Sequence, residues 1–182
     1  EDSLRVAFDE TLGTGRLWLY DHWGSLDSDN LLSKMRYLVQ ACECQWLILD
    51  HLSIVISGLG MDGDERRMLD QTMTMLRSFV EQTGCGLLIV SHLRRPPNGR
   101  SHEEGLMPSL TDLRSSHAIA QLSDMVLALG RNSQSDDEEE RNTTEVRILK
   151  NRFSGETGRA CHLRFFNDTG RLEETTMICN EV

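Results

Sequence analysis

Three apolar runs in this chain stop abruptly at a polar residue. Leu17-Trp18-Leu19-Tyr20 ends at Asp21, Trp46-Leu47-Ile48-Leu49 ends at Asp50, and Leu87-Leu88-Ile89-Val90 ends at Ser91 and His92. In an open parallel sheet, ligands bind beyond the carboxyl ends of the strands, so a polar residue at that edge is placed to do chemistry. An acid closing four apolar residues is the pattern in which a carboxylate positions Mg²⁺ on a nucleotide phosphate. A strand-end aspartate is equally a helix cap, and Asp50 alone does not separate the two. His92 at a strand tip could sense a γ-phosphate by hydrogen bonding, or it could be a solvated loop histidine.

The segment after His92 carries Arg94, Arg95 and Arg100 among Pro96, Pro97, Asn98 and Gly99. Arginine pairs with phosphate through a bidentate fork, and a backbone bearing Pro and Gly could follow a nucleic-acid strand. No aromatic lies between the arginines, which points to backbone contact rather than base stacking. Further on, Lys150 and Arg152 place two cations at a strand end before a glycine turn. Arg152 there could cap a sheet edge or reach a neighbouring subunit as an arginine finger.

The elements that must hold these residues are legible from periodicity. Leu17–Tyr20 reads as a short buried strand. Asp27 or Ser28 caps a helix whose stripe is Leu31, Leu32, Met35, Leu38, Val39 and Cys42. Residues 46–49 are too short an apolar run for a helix and read as a buried parallel strand. A glycine-rich connection, Ser57 to Gly63, leads to a second amphipathic helix with Leu69, Met73, Leu76 and Val80 inside and Gly84 as its stop. The strand at 87–90 follows. Residues 93–109 lack periodicity, which in a compact domain marks a functional or disordered stretch. A short helical piece near 111–122 precedes the strand 125–129. The tail, 145–151, 160–166 and 171–174, reads as hairpin strands. The predicted fold is α/β: a mostly parallel sheet flanked by helices, with an antiparallel hairpin extension at the carboxyl end.

Bulk properties narrow the class. The chain has 182 residues with 38% hydrophobic content, enough for one core. No apolar run approaches the roughly 20 residues of a membrane span. The five cysteines are scattered among apolar segments, as in a reduced intracellular protein. Cys42 and Cys44 lack the further ligands that a zinc site needs. The net charge of −10 disfavours nucleic acid superficially, but the acid is concentrated in Asp136-Asp137-Glu138-Glu139-Glu140, read as a solvated hairpin tip, while the arginines crowd one loop.

Taken in order, Leu47-Ile48-Leu49-Asp50-His51-Leu52-Ser53-Ile54-Val55, Asp64-Glu65-Arg66, Ser91-His92-Leu93, His102-Glu103-Glu104-Gly105, Thr111-Asp112-Leu113-Arg114, Gln121-Leu122-Ser123-Asp124 and Arg147-Ile148-Leu149-Lys150-Asn151-Arg152-Phe153 resemble the DnaB-like hexameric replicative helicases, most of all the helicase half of phage primase-helicases. The resemblance implies the carboxyl-terminal two thirds of a RecA-like motor domain. It makes Asp50 the Walker B carboxylate, His92 the γ-phosphate sensor, and Arg94, Arg100 and Arg114 the contacts to single-stranded DNA. Arg152 becomes the finger supplied to a neighbouring subunit's nucleotide, with Lys150 beside it in the nucleotide site. Arg131 and Phe165 match the pair flanking the base, and Gln121 the residue linking the phosphate site to the DNA loops.

The implied cofactor is Mg²⁺ with ATP or another (d)NTP. The implied partners are single-stranded DNA, further copies in a hexameric ring, a primase domain and a replicative polymerase, with no membrane. Ala120 stands where relatives often carry a basic residue, and Asn98 where some carry a lysine. No Gly-x-x-x-x-Gly-Lys-Ser/Thr phosphate loop occurs in the chain; the resemblance puts it, and the catalytic glutamate, ahead of Glu1. A recombinase of the RecA or RadA type or another RecA-like ATPase, and a non-hydrolysing DNA-binding ring or scaffold subunit, are the competing readings.

Overall fold

The computed structural model describes residues 2–20, 28–57, 65–96, 99, 101–113 and 117–176. The chain divides into two compact units, Glu1–Ser91 and His92–Val182.

The first unit begins with α1 (Asp2–Glu10), about which the periodicity gave no expectation, and continues into α2 (Ser28–Gln40). β1 (Trp46–Leu49) follows, then α3 (Leu52–Ser57), α4 (Glu65–Thr83) and β2 (Gly86–Ile89). β1 and β2 pair in parallel, Trp46 opposite Gly86 and Leu49 opposite Ile89. Two strands separated by helices α3 and α4 form the expected βαβ crossover. The core is Leu31 and Met35 from α2, Leu47 from β1, Leu52 and Val55 from α3, and Leu69, Met73, Leu76 and Phe79 from α4. Spacings of three and four put the α4 set on one stripe. Gly84 ends α4 in the left-handed region at φ +70°, as the sequence predicted.

The expected strand over Leu17–Tyr20 is not formed. Its four side chains are about half exposed or more, and Tyr20 takes the Lys34 ammonium both on its hydroxyl and over its ring. Among the described residues β1 and β2 pair only with each other, so both outer edges of that sheet are open and the run bonds to neither. Asp21, Asp27 and the glycines of the 58–63 connection lie outside the described residues. Burial, and then the neighbouring Cys42, push the Cys44 thiol up.

The second unit is built on an antiparallel sheet in the order β3-β4-β5-β6. Its strands are β3 (Met125–Gly130), β4 (Thr143–Asn151), β5 (Gly158–Phe166) and β6 (Arg171–Thr175), with α5 (His117–Leu122) ahead of β3 and α6 (Glu138–Asn142) between β3 and β4. The α/β class holds. The antiparallel part is larger than expected, because β3 joins the hairpins and parallel pairing is confined, among the described residues, to β1 and β2. Strict alternation in β3 buries Val126, Ala128 and Gly130 and exposes Met125, Leu127 and Leu129.

The acidic run is the expected, largely exposed tip between antiparallel β3 and β4, and it is ordered by contacts of its own. The Asp137 carboxylate accepts from the Glu139 backbone N–H at 2.8 Å and caps α6, and Glu139 grips Arg164 of β5 at 2.6 Å. Acids in the first turn suit the positive end of a helix, so the charge run organises a turn instead of repelling itself open.

Candidate nucleotide and single-strand interface

Asp50 leaves the carboxyl end of β1 with its side chain exposed. The strand ends are pinned on either side of it. The Val90 backbone N–H donates to the Leu49 carbonyl at 2.9 Å, and the Leu52 N–H donates to the Val90 carbonyl at 2.9 Å. Asp50 is thus held at the strand-tip edge where an open sheet binds ligands. A single exposed carboxylate suits Mg²⁺ that arrives on a phosphate, since Mg²⁺ keeps its own waters and takes one or two protein oxygens. Among the described residues, no group of three His, Cys, Asp or Glu side chains could hold a metal by itself.

In the second unit, His92 opens the arginine loop and is exposed. The loop is closed at its base by a bridge between Leu93 and Leu113 and by the Arg94 N–H donating to the Asp112 carbonyl at 2.7 Å. Arg94 and Arg95 are exposed. Arg100 and Arg114 lie outside the described residues, as does Asn98, although Arg114 follows the bridged Leu113 in the chain.

From Ser101 on, the stretch that lacked periodicity is organised by turns. Within His102-Glu103-Glu104-Gly105, the Ser101 N–H donates to Glu104 Oε2 at 2.7 Å, His102 Nδ1 lies 2.9 Å from the Leu106 carbonyl oxygen, and Gly105 sits at φ +87°. Ser109 caps the 3₁₀ turn Leu110–Asp112 in a capping box, its N–H and hydroxyl both donating to Asp112 Oδ2 at 2.8 and 2.7 Å. The Ser109 hydroxyl, helped by the Ser109 N–H and by nearby His102, holds the Asp112 carboxyl below the usual carboxylate range against the opposing effect of burial. The Ser-x-x-Asp spacing was readable in the sequence and was missed.

The four-stranded sheet sorts the remaining residues to its two ends. At one end, Arg131 follows β3 and is exposed, while Phe165 of β5 is half-buried opposite Leu172. At the other, Met125 faces Asn151 and Val126 faces Lys150. Here the Lys150 ammonium donates to the carbonyls of Ala120, Gln121 and Ser123 at 2.7, 3.1 and 2.8 Å, covering the C-terminal end of α5. A cation belongs at that negative end of a helix, but the contact engages the donors that the sequence reading assigned to nucleotide. Gln121, on α5, has its side chain exposed.

Arg152 is largely exposed and pairs with Asp124 at 3.4 Å. It therefore does cap the sheet edge, and its exposure leaves its guanidinium accessible. Between the two ends lies a cluster that no spacing revealed: Glu145 with Arg147 at 2.9 Å, Arg159 at 3.5 Å and the buried His162 at 3.9 Å. It depends on the pairing of Glu145 with His162 across β4 and β5, and on the irregularity that follows Val146.

Residues 6–174 match the family described as the DnaB-like helicase C terminal domain. The chain is 42% identical over 169 residues to a DNA helicase/primase of Enterobacteria phage T3, a match covering 93% of this chain and 29% of that protein. It thus spans less than a third of that relative's length. A solved structure of a DnaB-like replicative helicase, described together with its interactions with primase, superposes with a TM-score of 0.64 over 84% of this chain and 36% of that one, at 21% identity. That likeness shows the shared fold, and with the match over 6–174 the chain belongs to the DnaB-like helicase C-terminal domain family.

Proposed function

We propose that the chain is the carboxyl-side part of an NTP-dependent replicative helicase motor that moves 5′ to 3′ on single-stranded DNA inside the cell and unwinds duplex at the fork. The observation that carries this reading is the separation of Arg152 from Arg131 and Phe165 at opposite ends of one sheet. Their ends of β4 are about seven residues apart, or about 23 Å at strand rise. One nucleotide flanked at its base by Arg131 and Phe165 leaves Arg152 to serve another. That arrangement supports a ring in which each subunit gives its finger to its neighbour.

In this mechanism Asp50 would hold Mg²⁺, which would supply charge neutralisation at the phosphates. His92 hydrogen-bonds the γ-phosphate and stands directly before the arginine loop, so the phosphate state is passed to Arg94, Arg100 and Arg114, which grip the DNA backbone. Gln121 carries the same signal through α5. Lys150, two residues before Arg152, anchors the β4 end to α5 and positions the finger. A primase half, further copies of the chain and a replicative polymerase are the partners. The chain alone, lacking a phosphate loop, does not hydrolyse nucleotide.

The test is nucleotide hydrolysis by the full-length polypeptide carrying this chain, with and without single-stranded DNA, and with Arg152→Ala. DNA-stimulated turnover that the variant loses by about 10³-fold or more, while still binding nucleotide, is the expected result. No turnover alongside intact DNA binding would overturn the motor.

A further inference from the structure

Arg131 is held between two residues that both touch the arginine loop. On one side, Gly130 packs against the loop so closely that a Cβ there would lie 2.7 Å from Met107 Cε and 3.5 Å from Pro108 Cδ. On the other, Asn132 bridges Glu104, and Gly105 approaches it so nearly that a Cβ on Gly105 would come within 3.0 Å of Asn132 Cβ. The next residue, Ser133, donates to the Glu103 carbonyl through its backbone N–H at 2.9 Å and through its hydroxyl at 3.1 Å. The contacted turn continues through the Ser109–Asp112 cap to the Leu93–Leu113 bridge at the base of the loop.

We infer that the Glu103–Gly105 turn and its partners Asn132 and Ser133 are positioning residues that couple the base side of the nucleotide site to the DNA loop. The inference rests on the proposed roles of Arg131 and Arg94 and adds a second line of communication, separate from the phosphate side at His92. Physically, a backbone displacement at Arg131 is passed to Asn132 and Ser133, which the Glu104 bridge and the two bonds to the Glu103 carbonyl tie to the turn. Gly105, at φ +87° and in close contact with Asn132, is where a side chain would strain the turn. Hydrogen bonds and close backbone contacts of this kind carry a displacement from one segment to the other. Nucleotide and single-stranded DNA should therefore bind with mutual dependence, the same factor appearing in either direction.

The experiment measures dissociation constants in the full-length polypeptide for single-stranded DNA with and without a non-hydrolysable nucleotide. They are also measured for that nucleotide with and without DNA. The unaltered protein should show linkage of about fivefold or more. Ser133→Ala, which removes one donor and keeps the backbone bond, should cut that linkage to about half or less, with each affinity alone changing less than about twofold. Ser133→Thr, which keeps the hydroxyl, should restore it. Gly105→Ala, if it folds, should reduce linkage further.

Linkage unchanged in Ser133→Ala and Gly105→Ala, in a protein with intact hydrolysis, overturns the coupling and leaves the motor standing. Loss of both separate affinities in step with the linkage would mean a structural role only, and also overturns it. An unaltered protein that neither hydrolyses nucleotide nor binds DNA sinks the motor reading, and this inference with it.

Discussion

The backbone N–H of Arg152 donates to the Asp124 carbonyl at 2.8 Å, while its guanidinium meets the Asp124 carboxylate at 3.4 Å. The first contact fixes where the arginine leaves the sheet, and the second only where its tip rests. The ion pair is solvent-exposed on the arginine side and about a third exposed on the aspartate side, so it contributes under about 1 kcal/mol. Asp124→Asn should therefore leave the unfolding midpoint of the chain almost unmoved. A large fall in stability measured by urea titration would show that the pair does more than park the side chain.

Lys150 is a different case, because its ammonium serves three carbonyls at once. Lys150→Met keeps the stem and removes the donors, and should destabilise the chain by about 1–3 kcal/mol. Lys150→Arg should restore only part of this, since a planar fork cannot reproduce a three-way point contact. Chemical denaturation of the three proteins side by side checks both statements. Equal stability of the methionine variant and the parent would remove the capping role.

Asp112 supplies a pH dependence with a definite sign. Its folded-state pKa is depressed, chiefly by the Ser109 hydroxyl, so its contribution to stability is present above the unfolded value of about 3.9. That contribution is lost as pH falls through the lower folded value. Ser109→Ala should raise the Asp112 pKa toward the ordinary range, read by NMR titration of the side-chain carboxyl. An unchanged titration would show that the hydroxyl is not the cause.

Arg94 is exposed at the base of its loop, with its backbone tied down by Asp112. As a backbone-phosphate contact, Arg94→Ala in the full-length polypeptide should weaken single-stranded DNA binding to all sequences alike. It should also reduce the slope of log affinity against log salt by about 0.7, the value for one phosphate on a single strand. Weakening confined to some base sequences would mean that Arg94 reads bases instead.

The first unit was largely legible because its signals are local. The stripe of α4, the run before Asp50 and the stop at Gly84 each depend on residues within one element. Leu17–Tyr20 misled because an apolar run records a tendency to be covered, whereas a strand must also pair with an edge, and that pairing is not written nearby. The acidic segment was legible as an exposed tip between strands, but its short helix was not. Its net charge suggested solvation, while a single capping residue, Asp137, was enough to fold it. The Lys150 contacts, 27 to 30 residues away, and the Glu145–His162 pair, 17 apart, were out of reach because they meet only through strand pairing and the fold around it. Asp50 and His92 were placed at strand ends by the same local rule, and their chemistry remains the proposal tested above.

The antiparallel sheet has a consequence for how a ring would keep time. Strand length is set by covalent geometry and varies little under load, whereas subunit interfaces repack. On the proposed roles, β4, nine residues long, runs between sheet ends whose residues serve two successive nucleotides, and acts as a ruler. Under the proposed reading it holds the spacing between neighbouring sites constant while the interfaces around it open and close, so that step size becomes a property of one strand's residue count.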